Sequence, residues 1–146
     1  QAEGDDGDGL TWKDLLAAID APPPRPSDER REAQLLADIV DMGIDPSALL
    51  PRSRIEEIGA AVQTGDAEGA RQVVRRLAPA ATRRLTRRLF TDDALKGEAS
   101  DYVRRYRGML EEAVARDHEG FMVATLLASD AGRVFLLLDA AAGDMM

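Results

Sequence analysis

Along most of the chain, large apolar residues recur at steps of three and four. Leu35, Leu36, Ile39 and Val40 form one such stripe, Ile55, Ile58 and Val62 a second, and Val103, Tyr106, Leu110 and Ala113 a third. At 3.6 residues per turn these steps gather the apolar side chains on one face, so each stretch is predicted to be an amphipathic helix. No run alternates apolar and polar residues strictly enough for a half-buried strand.

Turn and cap residues divide the stripes. Ser27 is expected to cap Asp28–Met42, and Gly43 to stop it. Asp45-Pro46 opens a single turn, Pro46–Leu50. Ser53 and Glu56 have the spacing of a capping box for Arg54–Thr64. Gly65-Asp66 makes a tight turn, and Asp66 caps Ala67–Leu77. Pro79 cannot continue that helix, so a new helix or a sharp kink runs from there to Phe90. Thr91 is expected to cap a weaker segment through Ala99, interrupted by Gly97, with Asp101–Arg116 as a separate helix. The hairpin Ile55–Leu77 resembles one tetratricopeptide unit in its Gly-Asp turn and small residues. No second copy follows at that spacing, so a repeat array is not expected.

Glu119–Ala142 is apolar on nearly every side. Within it, Val134-Phe135-Leu136-Leu137-Leu138 points in all directions on a helix and has to be covered all round. The run is too short for a membrane span and is interrupted by Asp130, Arg133 and Asp139. It is therefore expected to be the central element of the core, with an interface to a second copy as the competing reading. Ser129–Gly132 reads as a turn between two helices in preference to the middle of one rod. Arg133 is expected to reach solvent or to pair with Asp130. The predicted fold is all-α: a single-domain bundle of six or seven helices over residues 27–146, packed around the apolar C-terminal helix or helical hairpin.

The N-terminal part differs. Residues 1–9 are acidic, Gly-rich and without an apolar anchor, and read as a disordered tail. No register of Glu3, Asp5, Asp6 and Asp8 fits a calcium-binding loop. Residues 10–21 read as a short amphipathic helix, capped by Thr11, with Trp12, Leu15, Leu16 and Ile19 on one face. Four prolines in residues 22–26 make the link to the main body stiff and extended. A tethered helix of this kind has to bury Trp12 on its own domain, on a second copy or on a partner.

Composition narrows the chemistry. The chain has 146 residues, 45 % hydrophobic and only 4 % aromatic, so the core should be built from Leu, Ala, Val and Ile. There is no cysteine, which excludes disulfides, thiolate metal sites and a cysteine nucleophile. The N-terminus shows no basic-then-apolar leader, so no signal peptide is expected, and the start at Gln1 leaves a whole protein and an excised domain both open. The basic residues are 17 Arg and 2 Lys, and alanine is abundant. That bias suits GC-rich coding, and a bacterial, cytoplasmic protein is expected. His118, between Asp117 and Glu119, reads as an exposed or capping residue where two helices meet. Asp38, Asp41, Glu56, Glu57, Glu111 and Glu112 lie beside the apolar stripes rather than within them, as on a solvated face. Thr64–Gly69 lacks the Lys-Ser/Thr ending and the preceding strand of a phosphate loop. No catalytic residue, cofactor site or metal site is expected.

One charge feature stands out. From Gly69 to Thr91 there are seven arginines and no acid, a local charge of +7 in a chain of net charge −8. On a helix over Ala80–Phe90, Leu85 and Leu89 share one side with Ala81, and Arg83, Arg84, Arg87 and Arg88 fall opposite. Arg71, Arg75 and Arg76 extend the basic character into the preceding helix. Three uses compete: structural pairing with neighbouring acids, docking of an acidic protein segment or a second copy, and binding of nucleic acid or phosphate. The acidic remainder, the lack of a helix-turn-helix pattern and the lack of aromatics between the arginines weigh against nucleic acid.

The sequence thus points to a non-enzymatic interaction or regulatory module, an adaptor or scaffold. Its expected contacts are Arg75, Arg76, Arg83, Arg84, Arg87 and Arg88, with Trp12, Leu15, Leu16 and Ile19. A nucleic-acid- or phosphate-binding regulator is the alternative, and a small enzyme the second alternative.

Overall fold

Eight α-helices and no strand make up residues 26–142, the part that the computed structural model describes. They are α1 (Pro26–Asp41), α2 (Pro46–Leu49), α3 (Arg52–Gln63), α4 (Ala67–Leu77), α5 (Pro79–Thr91), α6 (Asp93–Arg116), α7 (Phe121–Ala128) and α8 (Asp130–Ala142). The protein is all-α. The count exceeds the expected six or seven because the single turn α2 and both α7 and α8 stand as separate helices. The acidic tail, the Trp12 helix and linker residues 22–25 lie outside the described residues.

Helix boundaries depart from expectation where a different residue does the capping. α1 begins at Pro26, so Ser27 lies inside its first turn. Val40 is 61 % exposed, and among the described residues of α1 Leu35 and Ile39 form the fully buried edge. α3 begins two residues early, at Arg52. Pro51, extended at φ −69° and ψ 160°, offers its carbonyl to the amides of Arg54 and Ile55, and no side chain caps that end. Thr91 closes α5 instead of opening the next helix: its hydroxyl donates to the carbonyls of Arg87 and Arg88. Asp92 takes the cap, accepting from the Leu95 amide at 3.1 Å.

The expected break near Gly97 does not occur. α6 runs unbroken for 24 residues. Gly97 faces open space, where a mid-helix glycine costs about 1 kcal/mol. Against that, Leu95, Ala99, Tyr102, Val103, Tyr106, Leu110 and Ala113 are all buried along one stripe, and each large one is worth about 1.5–3 kcal/mol.

α8 touches α2, α4, α5, α6 and α7. Val134 to Leu138 are all buried, as are Ala140 and Ala142. Removing those five large side chains from water is worth on the order of 10 kcal/mol. α7 and α8 meet at a bend of 86° at Ser129. The Ser129 hydroxyl donates to the Leu126 carbonyl at 2.7 Å and accepts from the Gly132 amide at 3.0 Å. Only glycine fits at 132, because a Cβ there would lie 2.0 Å from the Leu126 carbonyl oxygen and 2.6 Å from the Leu127 Cα. Tyr106 donates to the Leu126 carbonyl at 2.6 Å, Tyr102 to the Ala131 carbonyl at 2.5 Å, and the Tyr106 ring stacks on Phe135 at 5.1 Å. Two phenols of α6 therefore brace the bend.

Arg133 neither pairs with Asp130 nor simply reaches water. It donates to the carbonyl of Leu50 at 2.8 Å and to that of Ala128, tying the end of α2 to the end of α7. Asp130 instead accepts from the Ser47 hydroxyl at 3.4 Å. At the α6–α7 junction the capping residue is Asp117, next to the exposed His118. Its carboxylate accepts from the amides of Met122 at 2.9 Å and Glu119 at 3.0 Å. The Met122 bond and its neighbours hold the carboxyl below the usual range, against the opposing effect of burial.

Candidate functional site

α5 carries the arginines. Ala81, Leu85 and Leu89 are buried, and Arg83, Arg84, Arg87 and Arg88 are exposed on the other side. The i, i+4 spacing of the leucines produces this division, since a polar residue two positions away faces the opposite way. The helix starts cleanly because Pro79 occupies its first position, where a missing N–H costs nothing.

The arginines have different fates. Arg84 donates to the Met42 carbonyl at 2.9 Å, stitching α5 to the end of α1. Arg88 pairs with Asp92 at 3.4 Å, one turn on. Among the described residues, the side chains of Arg76, Arg83 and Arg87 have no hydrogen bond or ion pair. Arg75 donates to the Ala140 carbonyl at 2.9 Å and pairs with Glu68 at 3.3 Å. Arg71 is not part of the exposed face. It turns inward, between Glu68 at 3.3 Å and Asp139 at 3.1 Å. Burial works against its charge, but the bond and attraction to Asp139 prevail and raise its pKa above the ordinary guanidinium value.

Arg75, Arg83 and Arg87 border a shallow groove of about 510 Å³ between α5 and the end of α8. Thr82, Thr86, Ala140 and Ala141 form its floor, and Phe90, 72 % exposed, stands at one end. Both threonine hydroxyls are already engaged: Thr82 donates to the Ala78 carbonyl, and Thr86 to those of Thr82 and Ala141. The groove therefore offers guanidinium donors and an aromatic ring over a small-residue floor. It suits an anionic, partly apolar occupant.

A second concavity of about 250 Å³ lies among α3, α4, α6 and α8. Val62, Ala70, Leu110, Val114, Phe135 and Leu136 line it, with Arg107, Glu111 and Asp139 as polar members. Asp139 is 5 % exposed and sits between Arg71 and Arg107. A buried carboxylate needs such partners, because an unpaired one is strongly unfavourable.

No family model, curated protein or solved structure matches this chain. The geometry alone carries the functional reading. It places Arg75, Arg83 and Arg87 around one groove, Arg76 in solvent on α4, and Arg84 and Arg88 in local ties. Trp12, Leu15, Leu16 and Ile19 fall outside the described residues. Sequence reasoning missed Phe90 as a neighbour of the arginines and Asp139 as their structural counterpart. Phe90 was legible as an apolar residue off the Leu85–Leu89 stripe. Asp139 looked like a mere interruption of the apolar run. Among the described residues no three His, Cys, Asp or Glu side chains gather as metal ligands would.

Proposed function

We propose that this protein is a non-enzymatic helical interaction module whose α5 groove docks an acidic protein segment. The observation that carries the reading is that Arg83 and Arg87 flank the groove without a partner among the described residues. Arginines kept for stability are usually paired or capping, as Arg71, Arg75, Arg84 and Arg88 are here. Guanidinium forks bind carboxylates in bidentate fashion, and Phe90 supplies an apolar contact beside them. The +7 stretch also steers an acidic partner despite the net charge of −8. Partner recognition of this kind fits an adaptor or regulatory role in a bacterial cytoplasm.

The test is titration of a fluorescein-labelled oligoglutamate peptide carrying one leucine. Arg83→Glu with Arg87→Glu should weaken binding about tenfold or more while leaving the melting temperature unchanged. Equal binding by the variant would overturn the reading. A large loss of stability would instead make these arginines structural.

Nucleic acid is the second reading, and the exposed Phe90 favours it as a stacking surface beside two cations. A labelled single-stranded oligonucleotide that binds more tightly than the peptide, with a steep loss as salt rises, would establish it.

A further inference from the structure

We propose that the acidic segment docked in the α5 groove is a helix, with two carboxylates four residues apart and an apolar side chain three residues beyond them; this rests on the docking function proposed for the same groove. The row of side chains along the groove sets these steps. From the pitch of an α-helix, Arg83, Arg87 and Phe90 fall within about 60° of one another around α5 and lie at roughly 0, 6 and 10.5 Å along its axis. All three are exposed. Two cations and an aromatic ring thus stand in one line, at steps of four and three residues. A helix lying alongside repeats those steps, so two of its carboxylates meet Arg83 and Arg87 while its apolar residue meets Phe90. The opposite chain direction keeps the steps and reverses their order.

The floor of the groove favours a helix over an extended segment. An extended peptide draws its main-chain hydrogen bonds from the seat, as in strand addition to a sheet edge. The polar atoms of this floor are already engaged. The Thr82 hydroxyl donates to the carbonyls of Ala78 and Pro79, and that of Thr86 to the carbonyls of Thr82 and Ala141. The Ala140 carbonyl accepts from Arg75. A helix satisfies its own backbone and needs only side-chain contacts from its neighbour. Ala140 and Ala141 project no further than a methyl group, and Thr82 and Thr86 little further, so a second helix can pack at the ~8–10 Å axial separation of helix pairs. At the edge of that floor the guanidinium groups of Arg83 and Arg87 have no partner among the described residues, and each can take one carboxylate in bidentate fashion.

The probe for the full chain is a fluorescein-labelled alanine–glutamine peptide, held helical by a hydrocarbon staple on its far face. It carries leucine, glutamate, glutamate and leucine at successive steps of three, four and three, a spacing that reads the same in either direction. Two controls have the same charge. One moves a glutamate by two residues, to the opposite face; the other has a central proline in place of the staple and cannot stay helical. By fluorescence anisotropy the spaced helix should bind about tenfold more tightly than either control. Replacing both of its leucines by alanine should weaken binding to the native protein severalfold and should matter little to Phe90→Ala, a substitution the fold tolerates because the ring is 72 % exposed. Equal or tighter binding by the controls would overturn the helical occupant while leaving acidic docking intact. So would a leucine effect that survives in Phe90→Ala. If the spaced helix, the controls and the oligoglutamate peptide all fail to bind, the helical occupant and the docking function fall together.

Discussion

Asp139 governs how the last helix meets its neighbours. It sits in a run of leucines and alanines, where a lone carboxylate would be costly, and Arg71 and Arg107 make it tolerable. Both arginines come from helices that pack on α8, so the carboxylate also sets the rotation of that helix. Asp139→Asn keeps the shape and removes the charge. It should cost about 1–3 kcal/mol, less than a fully buried pair because Arg107 is partly exposed, read as a lower urea midpoint with unchanged slope. None of this was legible in the sequence. A partner 32 or 68 residues away in the chain leaves no local signature. The inward turn of Arg71 was hidden for the same reason, whereas the outward turn of Arg83 and Arg87 followed directly from the spacing of Leu85 and Leu89.

Elements were read well where an apolar stripe was long and poorly where one capping residue competed with another. The stripes on α3 and α5, and the Asp66 cap before α4, predicted helices close to those observed. Gly97 misled because its intrinsic cost is small beside the stripe that passes it on the inner face of α6. Thr91 misled because Asp92, one residue on, is the better cap and carries a charge favourable to a helix start. Asp92 and Asp117 are both depressed, chiefly by amide bonds, from Leu95 and Met122 respectively. A depressed carboxyl stabilises the fold above the unfolded value near 3.9 and loses that contribution as pH falls through its lower folded value. These two caps should therefore leave the melting temperature flat from neutral pH to about pH 5 and lower it below about pH 4. Asp92→Asn with Asp117→Asn, followed by circular dichroism, should make that acid slope shallower.

At the scale of the whole molecule, the all-α class followed from periodicity alone, since no strand pattern competed with it. The charge segregation was also legible, because seven arginines without an acid occupy one stretch. What folding adds is selection: it leaves Arg83 and Arg87 facing an open groove and binds several of the others into the scaffold. Among the described residues no single helix is long and apolar enough to cross a membrane, and the α7–α8 pair is bent by 86°. The phenols that brace that bend are the only tyrosines in the chain. Burial pushes both far above the ordinary phenol value of about 10, so the neutral form stabilises the fold below that pH and the contribution is lost as pH rises beyond it. Tyrosinate absorbance should then stay dark through the normal phenol range and appear in one steep alkaline step, together with the loss of helicity. The hairpin thus carries an intrinsic optical gauge of its own closure, read without any label.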